Sequence, residues 1–189
     1  MTTNSREALL RAAQELYAEN GVAATTPNQV LQQSGIGQGS LYHHFPSKHD
    51  LAVAAVARTV EEALASSAAV VQGDAGPRAR LAAYLERPRN ATAGCRIGRL
   101  TADPFVAADE ALSALVAGYF GDLVDLLTAV IEDQGQEADA ARDRATAAVA
   151  VIQGGYVLSR AAGDDEPMRS AVRGFLGLMN ATASGEGHA

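Results

Sequence analysis

The stretch Gln38–Leu51, "QGSLYHHFPSKHDL", crowds Ser40, Tyr42, His43, His44, Lys48 and His49 around two apolar residues, Leu41 and Phe45. Those two are four apart, the spacing of neighbours on one helix face, so they can anchor a short helix whose remaining surface is polar. Gln38, Ser40, Tyr42, His43 and His44 are short or planar hydrogen-bonding groups. Such groups reach base edges and phosphate oxygens when a helix lies in a major groove. Gly39 lets the backbone come close. Lys48 brings a cation to the first turn of the next helix, beside N–H groups that also favour a phosphate. The competing reading is an ordinary solvated helix face. An enzyme is harder to build here. Gly35, Gly37 and Gly39 superficially resemble a phosphate loop, but position 40 is Ser and no strand precedes it. His43, His44 and His49 lack metal-ligand spacing on one helix face, there is no nucleophile elbow, and no pattern calls for a cofactor.

The elements that must position these groups are legible nearby. In Thr26-Pro27-Asn28-Gln29, Thr caps a helix, Pro takes its first position and Gln closes a capping box. Ser34-Gly35 stops that short helix, Gly35-Ile36-Gly37 turns the chain, and a second short helix spans about 38–44 until Phe45-Pro46 ends it. Ser47, with Asp50 three later, starts a longer helix through Leu51, Val53, Val56, Val60 and Leu64. Upstream, Leu9, Ala12, Ala13, Leu16 and Tyr17 recur at helical spacing. Asn4 with Glu7 suits the start of that helix, and Gly21 sits at a left-handed C-terminal cap. Two short helices joined by a tight turn have the dimensions of a helix-turn-helix.

The segment "GVAATTPNQVLQQSGIGQGSLYHHFPSKHDLAVAAV" resembles the DNA-binding domain of TetR-family transcriptional repressors, the likeness covering about residues 5–56. It carries an aliphatic residue and Gly near the turn, then Gly-Ser-Leu-Tyr, His-Phe, and Lys and Leu. Two departures stand out: Leu31 follows Val30 where a small residue is usual, and Gly37 replaces a Ser at the start of the second short helix. The resemblance implies a homodimer, each subunit with a three-helix head on a helical body, released from a double-stranded DNA operator by a small-molecule effector. It implies that Thr26 and Gln29 meet the backbone or a groove edge. Gln38, Gly39, Ser40 and His43 would then face bases, and Tyr42, His44 and Lys48 would hold phosphates. A helical adaptor without specific DNA binding is the main alternative.

Bulk properties set the frame. The 189 residues are 48% hydrophobic and 20% charged, enough for a core and unlike a disordered chain. Net charge is −7, yet residues 1–60 carry four basic side chains (Arg6, Arg11, Lys48, Arg58) and four acidic ones (Glu7, Glu15, Glu19, Asp50), so the head is neutral. A neutral head binds phosphates when its cations and amides point one way, and needs two copies to bind tightly. The single Cys95 excludes an intramolecular disulfide and a Cys-based zinc site. With no leader pattern and no apolar run of spanning length, a cytoplasmic protein off the membrane is expected.

The rest of the chain reads as helix, giving an all-α fold of about nine helices. The expected division is a helix-turn-helix head over 1–50, with the motif at about 26–45, a ligand-binding and dimerisation body over 51–182, and a disordered tail over 183–189. Further helices are expected at 77–87 and 94–101. The segment 109–135 reads as a long helix apolar on most of its circumference and is expected to be buried. Tyr84, Cys95, Phe105, Tyr119, Phe120 and Tyr156 are candidates for a mostly apolar effector cavity, with ordinary core packing as the alternative. Six arginines (Arg78, Arg80, Arg87, Arg89, Arg96, Arg99) precede a run of acids over 103–139, and the two segments are expected to neutralise each other rather than hold an anion. In the last two helices, Val151, Gly155, Val157, Leu158, Phe175, Leu178 and Met179 make an apolar dimer face relieved by glycines.

Overall fold

The computed structural model describes residues 2–185, with side chains described over 5–181. All regular structure among the described residues is helical: α1 (Thr2–Asn20), α2 (Pro27–Ser34), α3 (Gln38–His44), α4 (Lys48–Val71), α5 (Pro77–Glu86), α6 (Pro104–Ala107), α7 (Glu110–Glu132), α8 (Ala138–Ala162) and α9 (Glu166–Gly185), with a 3-10 turn at Gly98–Ala102. The helix expected over 94–101 is therefore shorter and later. Gly94 is left-handed at φ 87° and holds the chain in a turn. The helix expected to start at Asn4 already runs from Thr2. At the other end α9 continues to Gly185, so residues 183–185 are helical rather than tail; 186–189 lie outside the described residues.

Contacts divide the chain into two compact units, residues 1–63 with 96–119, and residues 64–95 with 120–189. In the first, α1 buries Leu9, Ala13 and Tyr17, α2 buries Val30, and α3 buries Leu41. α4 contributes Leu51, Ala52, Ala55 and Val56. Burying a Leu or Val side chain is worth roughly 1.5–3 kcal/mol, which is what holds helices as short as α2 and α3 in place. In the second unit, α8 and α9 form an antiparallel pair closed by Gly163, left-handed at φ 68°. A Cβ on Gly155 of α8 would lie 2.5 Å from the Met168 sulfur of α9, so this glycine lets the two helices of one chain approach.

Two expectations change. Gly155 belongs to this internal contact, not to a dimer face. And α7, long and apolar enough by length and composition to cross a membrane, is not buried all round: Leu112, Val116, Tyr119, Leu123, Leu127 and Ile131 line one inward stripe, while Ala114, Ala117, Gly118 and Gly121 are exposed. Those outward positions are all Ala or Gly, which is why an apolar pattern coexists with an exposed face.

Candidate nucleic-acid interface

The helix-turn-helix is built by local chemistry. Gln29 N–H donates to Thr26 Oγ1 at 3.3 Å, and Thr26 N–H donates to Gln29 Oε1 at 2.7 Å, the reciprocal capping box read from the sequence. Gly35, left-handed at φ 68°, closes α2 by donating its N–H to the Leu31 carbonyl at 3.0 Å. Gly37 begins α3 in extended conformation with no side-chain cap. Ser47 Oγ accepts from Asp50 N–H at 3.1 Å and starts α4.

With Leu41 and Phe45 turned inward at 2% and 3% exposure, α3 presents Gln38, Gly39, Tyr42 and His43 to solvent, with Ser40 and His44 half-buried beside them. Tyr42 is 47% exposed, unusual for a large ring that could pack elsewhere. The His43 and His44 rings meet edge to face at 5.1 Å, and the Arg6 guanidinium lies 5.4 Å from the Phe45 ring centre.

Other expected contact groups are already committed. The side chains of Thr26 and Gln29 hold each other. Lys48 donates from Nζ to the Ala23 carbonyl at 3.2 Å and sits 4.8 Å from the Phe105 ring centre. Burial lowers the Lys48 pKa, against which the Asp103 charge works. Arg58 is held by Glu7 at 2.5 Å and Glu62 at 2.9 Å.

Asp103 was not among the residues singled out, yet it organises this unit. It is buried, and its Oδ1 accepts from the N–H groups of Phe105 at 2.9 Å and Val106 at 3.2 Å, capping α6. Its Oδ2 accepts from Ala23 N–H at 3.1 Å, in the loop that leads into α2. Gly21, at φ 85°, makes room: a Cβ there would fall 2.5 Å from Asp103 Oδ2. Arg99 donates to the Ala18 carbonyl, and His49 meets Asp109 at 2.9 Å. Asp103-Pro104 carries the same cap-then-proline signature as Thr26-Pro27, and that signal would have found α6.

The six candidates for an effector cavity fall in both units. Phe105 lies under Lys48 and, with the buried Tyr119, belongs to the first unit; Tyr84, Cys95, Phe120 and Tyr156 belong to the second. Tyr84 and Tyr156 are close enough to Cys95, Arg87 and Arg89 for their charges to interact, and burial raises the pKa of both phenols.

Residues 9–55 match the family described as bacterial regulatory proteins, tetR family, and residues 79–173 match the C-terminal domain of LmrA/YxaF-like transcriptional regulators. The chain belongs to the TetR family. It is a DNA-binding transcriptional regulator, not an enzyme. The HTH-type transcriptional regulator LmrA of Bacillus subtilis is 27% identical over 172 residues, covering 87% of this chain and 91% of LmrA. The repressor KstR2 of Mycobacterium tuberculosis is 37% identical over 79 residues, 41% of this chain and 40% of its own. A TetR-family regulator from Agrobacterium tumefaciens has the same fold with a TM-score of 0.78 at 26% identity, over 93% of this chain and 97% of its own. One from Chloroflexus aurantiacus gives 0.82 at 20% identity, over 95% and 96%.

Proposed function

We propose that this regulator is a homodimeric repressor that reads a near-palindromic operator with two copies of α3 and is released by a small-molecule effector bound in the second unit. The exposed face of α3 carries the reading: Gln38, Gly39, Ser40 and His43 face bases in the major groove, and Tyr42 and His44 meet phosphates. Thr26, Gln29 and Lys48 place the motif through Thr26 Oγ1, Gln29 Oε1 and one Lys48 N–H, which leaves Gln29 Nε2 and the other Lys48 N–H groups for backbone phosphates. With Arg58 held internally and Lys48 in part, few cations remain for phosphates, so tight binding needs two heads acting together. DNA as the partner places its work in the cytoplasm.

The dimer reading is supported by Val157, Leu158 and Leu178, which are 69%, 56% and 70% exposed on α8 and α9. Large apolar side chains clustered on two adjacent helices mark an interaction surface. Gly154, Gly174 and Gly177 lie on the same helices with open space where a Cβ would stand, unlike Gly155. Phe175 and Val151 flank this face and are half-buried; Met179 lines a neighbouring groove.

The test is fluorescence anisotropy of the full-length protein on DNA flanking its own gene, with salt and unrelated competitor DNA. Saturable binding to one near-palindromic segment that resists competitor is expected. Absence of binding to any segment at low salt would favour the helical adaptor instead.

A further inference from the structure

The arginines of residues 78–99 meet different fates. Arg80 makes an ion pair with the acidic run that follows, to Asp133 at 2.7 Å, and it also donates to the Val71 carbonyl. Arg89 is mostly buried and closes the C-terminus of α5, donating to the carbonyls of Tyr84 at 2.6 Å, Leu85 at 2.7 Å and Arg87 at 3.0 Å. The Arg87 side chain makes no hydrogen bond among the described residues; its guanidinium lies 4.7 Å from the Tyr84 ring centre, and that of Arg89 lies 5.3 Å from it. No described carboxylate is within ion-pair distance of either. A ring face offsets a cation by about 0.5–2 kcal/mol, well short of the cost of holding two adjacent guanidinium groups partly out of water.

Both arginines border a cavity of about 470 Å³ between the end of α5, the chain after it, and α9. Leu85, Met168 and Val172 give the cavity an apolar wall. Its other charges are accounted for. Glu166 holds Arg169 at 2.9 Å and Arg173 at 2.7 Å. Asp165 Oδ1 accepts from the N–H groups of Ala91 and Thr92 at 3.1 and 3.2 Å, and Glu86 is exposed. The volume suits a small molecule, and an apolar wall with a few convergent polar groups is the usual make-up of a ligand site.

We propose that this cavity binds a small organic anion, its carboxylate or equivalent group held by Arg87 and Arg89 and its apolar body against Leu85, Met168 and Val172. The arrangement rests on the reading of the second unit as the effector-binding part of the regulator. Burial first, and then the neighbouring Arg87 charge, push the Arg89 pKa below its usual value, and a bound anion reverses the second of these. Planar guanidinium groups suit a planar carboxylate, which accepts two parallel N–H donors.

The test uses full-length protein and two fluorescent dyes of one framework, anionic 8-anilinonaphthalene-1-sulfonate and neutral N-phenyl-1-naphthylamine. Wild type is expected to bind the anionic dye saturably and about tenfold more tightly than the neutral one. Arg87→Gln, which breaks no hydrogen bond, should weaken the anionic dye about tenfold and leave the neutral dye and Tm unchanged, and Arg87→Lys should recover part of the loss. Equal binding of the two dyes, or anionic-dye binding unchanged in Arg87→Gln, would overturn the proposal. Operator binding is measured on the same samples. If the dye occupies the site without changing operator affinity, the anion site stands and the effector reading of this unit falls.

Discussion

Both units of this regulator commit most of their charges internally, and they differ in the groups each leaves over. In the unit of residues 1–63 and 96–119, charge after charge is committed internally: Arg58 to Glu7 and Glu62, Lys48 to the Ala23 carbonyl, His49 to Asp109, and Asp103 to three N–H groups from two distant segments. Tyr42, on α3, is its one large apolar residue notably exposed among those described. In the unit of residues 64–95 and 120–189, Arg87 and Arg89 have no described carboxylate, and Val157, Leu158 and Leu178 stand in solvent. A DNA reader benefits from a motif fixed in one pose, since a shift of the recognition helix misplaces every base contact at once. A body proposed to recognise a second subunit and a ligand would instead leave groups for them to satisfy.

The comparison breaks most visibly at the exposed apolar face of the body. Val157→Glu with Leu158→Glu should give a monomer by light scattering and weaken operator binding by about 10²–10⁴-fold, because the second head no longer binds intramolecularly. Tight operator binding by that monomer would remove the dimer from the account. Next in size is the anchor of the reading helix: Leu41→Ala should cost about 2–5 kcal/mol of unfolding free energy in denaturant titration, from a buried side chain that cannot be replaced by relaxation alone. Asp103→Asn sharpens the contrast between capping and clamping. Asn still caps α6 but offers an N–H₂ where Ala23 N–H needs an acceptor, so operator affinity should fall by about 1–3 kcal/mol with anionic-dye binding intact. Gly21→Ala should act in the same direction, through its positive φ and the approach to Asp103.

The smallest effect concerns Arg58. Hydrogen bonds from its guanidinium hold the Glu7 and Glu62 carboxyls below their usual pKa. Carboxyls with lowered folded-state pKa contribute stability that is present above about pH 4.3 and is lost as pH falls through the lowered value. Arg58→Gln should therefore lower Tm slightly at pH 7, with the gap from wild type closing as the solution is acidified below about pH 4.

Legibility in the sequence followed the range of the interaction. The Thr26–Gln29 box, the Gly35 cap, the Ser47–Asp50 start and the Leu41–Phe45 anchor each act within four residues, where chain geometry alone brings the partners together. The Asp103–Ala23 bond joins residues 80 apart and depends on packing that no local pattern encodes. The same holds for the approach of Lys48 to the Phe105 ring and to the Ala23 carbonyl. Gly155 and Gly154 are adjacent in the helix yet face opposite duties, one closed against Met168 and one open, because neighbouring positions on a helix point about 100° apart. The clustering of arginines was visible, but whether acids met them required the fold.

The most direct measurement compares wild type with His43→Ala and Gln38→Ala, each of matched Tm, by anisotropy on the operator and on scrambled DNA of equal length. Each substitution should cost about 1–3 kcal/mol on the operator and little on scrambled DNA, narrowing the specificity ratio while the salt dependence stays unchanged. Equal losses on both DNAs, or none on either, would contradict the assignment of the exposed α3 face as the surface that reads sequence.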